Sequence, residues 1–490
     1  MSTGSPRRAW AQPAARLAVV GCLAAGVVLG ADRLGSVSAG TSPEQRPERV
    51  AATTTTGYCP GDPFAADDEQ RTEATVDVTG SVAASAAPPE VLDGVITPSD
   101  EPGRITLSSL SGPPSTADRA PESGPPAETS DDLDEPVMVR GTEKHAPGLA
   151  SGQSFVAGGD RAIGLAAQPC TAPTADAWLV AGGGDKGRQE HLVLANPGGN
   201  PVDVRVEALG TGGDEGTRSV VVPAHGRSIV LLDSLGGTDG AQAVHVSSSG
   251  GLVVPTIVDR HLDGLTPAGV ETVTPTAQPA TRHVIPGNAN GEERGMVLAA
   301  PGTSDAVVEI RRVDGSGSRS AEVTTVPAGQ IVDVELPEGE GIYSWQVESD
   351  EPVVAAAHRR TAGSGDESDL SWSVATTPFG TLGGAALPRG VPADVRRFIS
   401  IAADDGPAEA DVLVLKDGEV TSTEVTLEED HGSAVSVGEA EAVWVRLSKG
   451  SVHAAVLLTG REGVGDPQTT SLPLLPSRVA VRDADVIREG

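Results

Sequence analysis

Leu192-Val193-Leu194-Ala195-Asn196-Pro197-Gly198 recurs 104 residues later as Met296-Val297-Leu298-Ala299-Ala300-Pro301-Gly302. Val222-Pro223-Ala224 recurs at the same offset as Val326-Pro327-Ala328. Two separate matches at one offset define an internal repeat of about 100 residues, and a repeat of that length is one supersecondary unit copied along the chain. A third, more diverged copy begins at Phe398-Ile399-Ser400-Ile401-Ala402-Ala403, where the Pro-Gly turn is gone and the alternating pattern stays.

Each copy continues with the same succession. Val202-Asp203-Val204-Arg205-Val206 alternates apolar and polar, and its counterparts are Val307-Val308-Glu309-Ile310 and Ala410-Asp411-Val412-Leu413-Val414. Later come Ile229-Val230-Leu231-Leu232 and closing strand pairs that end in Leu252-Val253-Val254, Val353-Val354-Ala355 and Val452-His453-Ala454-Ala455-Val456. Period-two alternation in runs of four to eight, broken by Gly, Pro, Asp and Asn, is the signature of strands. Helical periodicity is absent beyond the amino-terminal segment. The expected fold is therefore all-β. About seven short strands per 100 residues is the count of an immunoglobulin-like β-sandwich, so tandem sandwich units are expected; the alternative is a β-propeller with two blades per unit.

Composition agrees. Of 490 residues only 2% are aromatic, against 61 Gly and 38 Pro, a balance of short strands and turns whose cores are Val, Leu, Ile and Ala. The formal charge of −33 argues against a nucleic-acid partner, which needs a basic surface to neutralise phosphates, and disfavours an anionic membrane surface.

The amino terminus has the layout of an export signal. Arg7, Arg8 and Arg16 precede an apolar run from Leu17 to Ala31, and Val37-Ser38-Ala39 offers small residues for cleavage. The run is shorter than the roughly 20 residues of a bilayer span, so residues 1–39 fit either a cleaved signal peptide or a retained membrane-anchor helix, and the expected location is extracytoplasmic. Cys22, after Val19-Val20-Gly21, loosely resembles a lipoprotein acylation site, against which stands its place inside the apolar run. The remaining cysteines, Cys59 and Cys170, form an even pair on the exported side, where a disulfide is expected. In the chain-entropy model closing so long a loop contributes roughly 4 to 5 kcal/mol.

Residues 40–57 are expected to form a flexible spacer, and the Pro-, Ser- and acid-rich stretch 99–136 a disordered loop. The acidic run Asp131-Asp132-Leu133-Asp134-Glu135 within it has a calcium site as its alternative reading. Cys59 and Cys170 enclose Thr75-Val76-Asp77-Val78-Thr79 and Val137-Met138-Val139-Arg140 over about one repeat length, which makes 58–170 a degenerate first unit, followed by units at 171–275, 276–378 and 379–480.

Assembled, these parts resemble a known family. The membrane-anchored amino terminus, Tyr58-Cys59-Pro60-Gly61, Cys170 shortly before Trp178-Leu179-Val180-Ala181-Gly182-Gly183, and Leu194-Ala195-Asn196-Pro197 are similar to an actinobacterial family of secreted proteins of unknown function, domain-of-unknown-function family 5719. The resemblance implies no activity and no site residues.

Candidate chemistry is sparse. Gly182, Gly184 and Gly187 have the dinucleotide-binding spacing, but another strand follows at Glu190-His191-Leu192-Val193-Leu194 where a phosphate-binding helix is required. The nine histidines lack zinc-ligand spacing; His358 and His453 close corresponding parts of two units and His225 sits in a turn. Asp233-Ser234-Leu235 resembles part of an esterase motif, but the preceding Gly is missing and the chain has no Gly-x-Ser-x-Gly elbow, so it reads as a polar turn after Leu231-Leu232. Trp345 and Trp444, at comparable places, read as core anchors, with a sugar-stacking platform as the alternative. The expectation is a non-catalytic structural or interaction protein of the bacterial envelope, with no catalytic residue, cofactor or metal assigned and an envelope protein or polysaccharide as partner. A carbohydrate-binding protein acting on cell-wall or capsular polysaccharide is the alternative, and exposed Trp178, Trp345 or Trp444 would favour it.

Overall fold

In the computed structural model the described residues are 50–62, 77–111, 127–130, 133, 135–159, 161–183, 186–235, 240–387, 390–392, 394–461 and 463–481. The export segment, Cys22 and the possible cleavage site lie outside them. Among the described residues no helix is long and apolar enough to cross a membrane. The fold is all-β, with one single-turn helix at Pro89–Leu92 and two short 3-10 turns among the described residues.

Residues 171–275 contain eight strands in two antiparallel sheets. One orders Gly213–Val222, Val202–Gly210, Ala241–Ser249 and Asp176–Gly183; the other orders Gly226–Leu231, Arg188–Asn196, Val254–Asp263 and Thr266–Val273. In strand order these are sheets 4-3-6-1 and 5-2-7-8. Residues 379–480 repeat both orders, adding Leu475–Pro476 to the edge of the first sheet. Residues 276–378 repeat them too, with the sixth and seventh strands fused into one 21-residue strand, Ile342–Ala362, that passes from one sheet to the other. Residues 58–170, the degenerate copy, show sheets 3-6-1 and 5-2-7-8 and lack a described fourth strand. This order departs from the immunoglobulin arrangement of A-B-E-D and C-F-G: here the second strand pairs with the fifth and seventh, because the seventh and eighth strands form a hairpin that leads to the centre of the molecule.

Two expectations are corrected. The spacer expected at 40–57 ends in a strand, Thr54–Cys59, which pairs with Val137–Thr142; its three threonines suit an extended, half-buried edge. The stretch expected to be disordered at 99–136 contributes Ile105–Ser109 to that same sheet and Ala127–Ser130 to the other. Composition misled here because Ile105 and Leu107 are few in number yet point the same way along a strand and are both buried.

Burial explains the two kinds of strand pattern. Val202–Gly210 is buried at every second position, as a sheet with one solvated face requires. Leu192, Val193, Leu194 and Ala195 are all fully buried, because the sheet they belong to is covered on both faces. The conserved spacing of the Asn-Pro-Gly and Val-Pro-Ala turns has a direct cause. The buried Asn196 side chain donates to the carbonyls of Asn200 (2.8 Å), Val222 (3.2 Å) and Pro223 (3.0 Å), and accepts from Gly198 N–H (2.8 Å). It therefore laces one turn to the other. In the next repeat Ala300 cannot do this, and Asp305 instead accepts from Ala328 N–H at 2.9 Å.

Residues Ala51–Val481 form one compact unit, because each repeat shares apolar core with the next. Val297, Ala299, Val354, Leu370 and Trp372 of the third repeat join the core built on Leu192, Leu194 and Val204 of the second. Val284, Val313 and Ala402 link the third to the fourth, Leu165 enters the fourth repeat's core from the first, and Ala157 and Ala162 meet Val270 between the first and second. The eighth strands close the cycle: Gly164–Pro169 packs on Thr266–Val273, that on Ser368–Val374, that on Thr469–Pro473, and that again on Gly164–Pro169. The sheets thus ring a central axis, a radial closure that protects all but the outermost edges.

Candidate functional site

The polar groups of this chain gather where repeats meet. On the second strand of the second repeat, Arg188 and Glu190 lie opposite His261 and Asp259 of the seventh. Gly182 of the first strand has no side chain, and the Arg188 guanidinium occupies the space a Cβ there would need, which gives Gly182 a steric role. Arg188 donates from Nε to Asp259 Oδ1 (2.9 Å) and from Nη2 to Asp259 Oδ2 (2.5 Å), the bidentate geometry that favours Arg over Lys. Trp372 Nε1–H of the third repeat completes the shell of Asp259 Oδ2 at 2.7 Å. Asp259 is fully buried; burial works against its charge, but Arg188 and the Trp372 N–H outweigh it and hold the carboxyl below its ordinary value.

Glu190, equally buried, has the opposite balance. It lies 4.0 Å from Arg188 and accepts from Gln242 Nε2 at 2.5 Å. Burial first, and the Asp259 charge second, push its carboxyl up to about 8, so at neutral pH it is mostly protonated. Around this pair, Arg360 meets His261 Nδ1 at 2.7 Å, and His358 pairs with Asp333 at 3.0 Å with its ring 5.1 Å from that of Trp372. Burial opposes the Asp333 charge, yet His358 keeps its carboxyl below the usual value.

A second cluster ties the third repeat to the fourth. Asp404 Oδ1 lies 3.2 Å from His453 Nε2, and His453 Nδ1 lies 2.9 Å from Thr376 Oγ1. With Asp404 ionised, Nε2–H donates to it and Nδ1 accepts the Thr376 hydroxyl proton, the polarity of a nucleophile–base–acid relay. Arg282 (3.0 Å) and Ser451 (3.0 Å) also donate to Asp404. Its carboxyl falls to about 2, through the His453 hydrogen bond above all. Thr376 and His453 are nevertheless buried, at 6% and 4% exposure. Neither described cleft, one of about 430 Å³ beside Phe398 and Ile342 and one beside Arg312 and Arg319, is lined by any of the three. The arrangement has the hydrogen bonds of a relay, and it links the third repeat to the fourth.

Of the residues singled out in the sequence, His358 and His453 lie in these clusters and the others fall elsewhere. Gly182 and Gly187 flank a strand-to-strand turn between Asp176–Gly183 and Arg188–Asn196, Gly187 taking φ +86; Gly184 lies outside the described residues. Ser234 sits in a 3-10 turn with its hydroxyl donated to Leu231 O at 2.6 Å. His225 occupies a turn with φ +51. Trp178, Trp345 and Trp444 are buried, and Trp444 Nε1–H donates to Gly148 O of the first repeat at 2.9 Å, so these rings serve the core. Cys59 and Cys170 form the disulfide, 111 residues apart with Cα atoms 4.5 Å apart. Of the acidic run, Leu133 is buried in the first repeat's core and Glu135 accepts from Ser109 and Ser111; Asp131, Asp132 and Asp134 lie outside the described residues. The sequence offered no sign of Asp259, Trp372, Thr376 or Asp404, because their partners lie 71 to 113 residues away or 49 and 77 away.

Comparison with known proteins is brief. A family model described as a family of unknown function (DUF5719) matches residues 122–438. No curated protein matches. Among solved structures, a tetra-tandem repeat from the extending region of a large adhesion protein is 14% identical, with 78% of this chain and 92% of that chain covered and a TM-score of 0.11.

Proposed function

The chain belongs to that family of unknown function, and we propose that it is a non-catalytic, extracytoplasmic interaction protein of the bacterial envelope, delivered by its amino-terminal segment, whose ringed repeats present loops to an envelope partner. The observation that carries this reading is the way its polar groups are spent: the clusters around Asp259 and Asp404 lie where repeats meet and link them through Trp372–Asp259 and Thr376–His453. The ring leaves to solvent, among others, the hairpins of third and fourth strands in the second and third repeats, where Val221, Val307 and Val323 stand exposed, and Leu265 between the seventh and eighth strands of the second. The net charge of −33 favours partners other than nucleic acid. The polysaccharide alternative loses the motive it had, since the rings of Trp178, Trp345 and Trp444 are buried and a stacking platform needs an open ring face.

The test is a pull-down with the full exported chain against solubilised envelope extract and, in parallel, isolated cell-wall polysaccharide. Saturable recovery of one envelope protein, reduced by charged substitutions at Val221 and Val323, is the expected result. Retention on polysaccharide, or turnover of an envelope substrate that Thr376→Val abolishes, would overturn the reading.

A further inference from the structure

The four eighth strands meet on the axis with their residues in register, and one carboxylate binds all four. Asp369 Oδ2 accepts Leu165 N–H (3.0 Å) and Thr469 N–H (2.7 Å), and Oδ1 accepts Val270 N–H (3.3 Å) and Leu370 N–H (2.9 Å). Each donor comes from a different repeat. The residues before the donors are Gly164, Gly269, Asp369 and Gln468. The two glycines take φ +138 and +118, and a Cβ on either would run into Asp369 or the backbone beside it. The axis at this level is built around that one side chain.

Two residues further along each strand, side chains that point the same way form the next layer: Ala166, Glu271, Ser371 and Thr470. Two members of this layer meet directly: the Thr470 hydroxyl donates to Glu271 Oε1 at 3.0 Å, while Ala167 N–H donates to Thr470 Oγ1 at 3.1 Å. Glu271 Oε1 also takes Thr272 N–H at 2.9 Å. Glu271 Oε2, Ser371 Oγ and the Gln468 Oε1 of the layer before have no hydrogen-bond partner among the described residues. All three residues are buried, Glu271 and Asp369 completely, and no ion pair among the described residues involves either carboxylate.

We propose that this axial layer binds a hard divalent cation of the calcium type, held by Glu271 Oε2, Ser371 Oγ, Thr470 Oγ1 and Gln468 Oε1, with the Asp369 carboxyl in the layer beside it. Among the described residues no three His, Cys, Asp or Glu side chains converge, so the donor set is one carboxylate with hydroxyl and amide oxygens. Such all-oxygen sets suit calcium and not zinc. A proton on Glu271 would relieve its own charge but leave the Ser371 and Gln468 oxygens unserved. A cation engages all of these oxygens and favours the ionised form of two carboxyls that burial otherwise holds well above their ordinary values. Its position, touching three of the four repeats, would make it a clamp on ring closure.

The test uses the purified full chain. Elemental analysis after exhaustive dialysis, and scanning calorimetry with EDTA or with calcium chloride, are compared for the wild type, Glu271→Gln and Ser371→Ala. The expected result is about one calcium per chain and a rise in Tm of about 3 °C at 100 times Kd, given the entropy of unfolding of a chain of this size. Glu271→Gln, which keeps the shape of the side chain, loses both responses, and Ser371→Ala needs more calcium for the same rise. Absence of bound calcium together with an unchanged Tm in the wild type overturns the proposal. So does a calcium response that Glu271→Gln retains in full, since it would then arise from the acidic surface.

Discussion

Glu190 offers the sharpest quantitative test of the interface between the second and third repeats. Its carboxyl is pushed up to about 8 in the folded protein, against an ordinary value near 4.5, so folding raises its proton affinity. Stability from this group is therefore fully present below about pH 4.5 and is lost as pH rises through about 8. Each pH unit inside that window costs about 1.4 kcal/mol, which amounts to roughly 3 kcal/mol by pH 7. Asp259 does not blur the window: its carboxyl is depressed, so its contribution is present above about pH 4 and is lost only at more acidic pH. Replacing Glu190 by Gln removes the titration and retains an oxygen to accept the Gln242 amide proton. Urea unfolding of wild type and Glu190→Gln, measured at intervals from pH 5 to pH 8, should show the difference swinging toward the variant by a few kcal/mol as pH rises. A difference that stays flat across this range would refute the reasoning, and with it the assignment of a neutral carboxyl at the centre of the cluster.

Other outcomes follow from the same structure. Asn196→Ala leaves three carbonyls and one N–H of two turns without their partner, and should lower stability by about 1 to 3 kcal/mol in denaturant unfolding. Asp404 is depressed to about 2, so its stabilisation is lost as pH falls below about 4; Asp404→Asn should flatten the acid limb of the stability curve by about 1 to 2 kcal/mol after allowance for screening at a partly solvated group. Mass spectrometry of unreduced protein should recover a peptide linking Cys59 to Cys170, and the Cys59→Ala, Cys170→Ala protein should unfold at lower denaturant by an amount equivalent to about 2 to 5 kcal/mol.

Much of the architecture could be read from the chain before any coordinates. The recurrence of Leu192–Gly198 and Val222–Ala224 at one offset announced a copied unit, and period-two alternation announced strands, since a side chain's direction along a strand is a local property. The pairing of Cys59 with Cys170 followed from there being two thiols in the chain beyond the amino-terminal apolar run. The strands hidden in residues 40–57 and 99–136 were missed because threonine runs and acid-rich stretches carry the composition of linkers, and a few buried residues such as Ile105 and Leu107 decide their fate.

The candidate sites were not legible in the same way. Arg188 meets Asp259 only because Arg188–Asn196 pairs with Val254–Asp263 in one register, and a slip of one residue would turn every side chain to the other face. Trp372 reaches Asp259 across 113 residues only when one repeat packs on the next. Asp369 finds donors on four strands only when the ring closes. By itself, then, the sequence determined the strand content, the repeat and the disulfide, because these rest on local periodicity, copying and the scarcity of thiols. The tertiary structure alone decided which polar residues meet, because burial of the last strand of every repeat against its neighbours, and not any short-range preference, brings the axis into being.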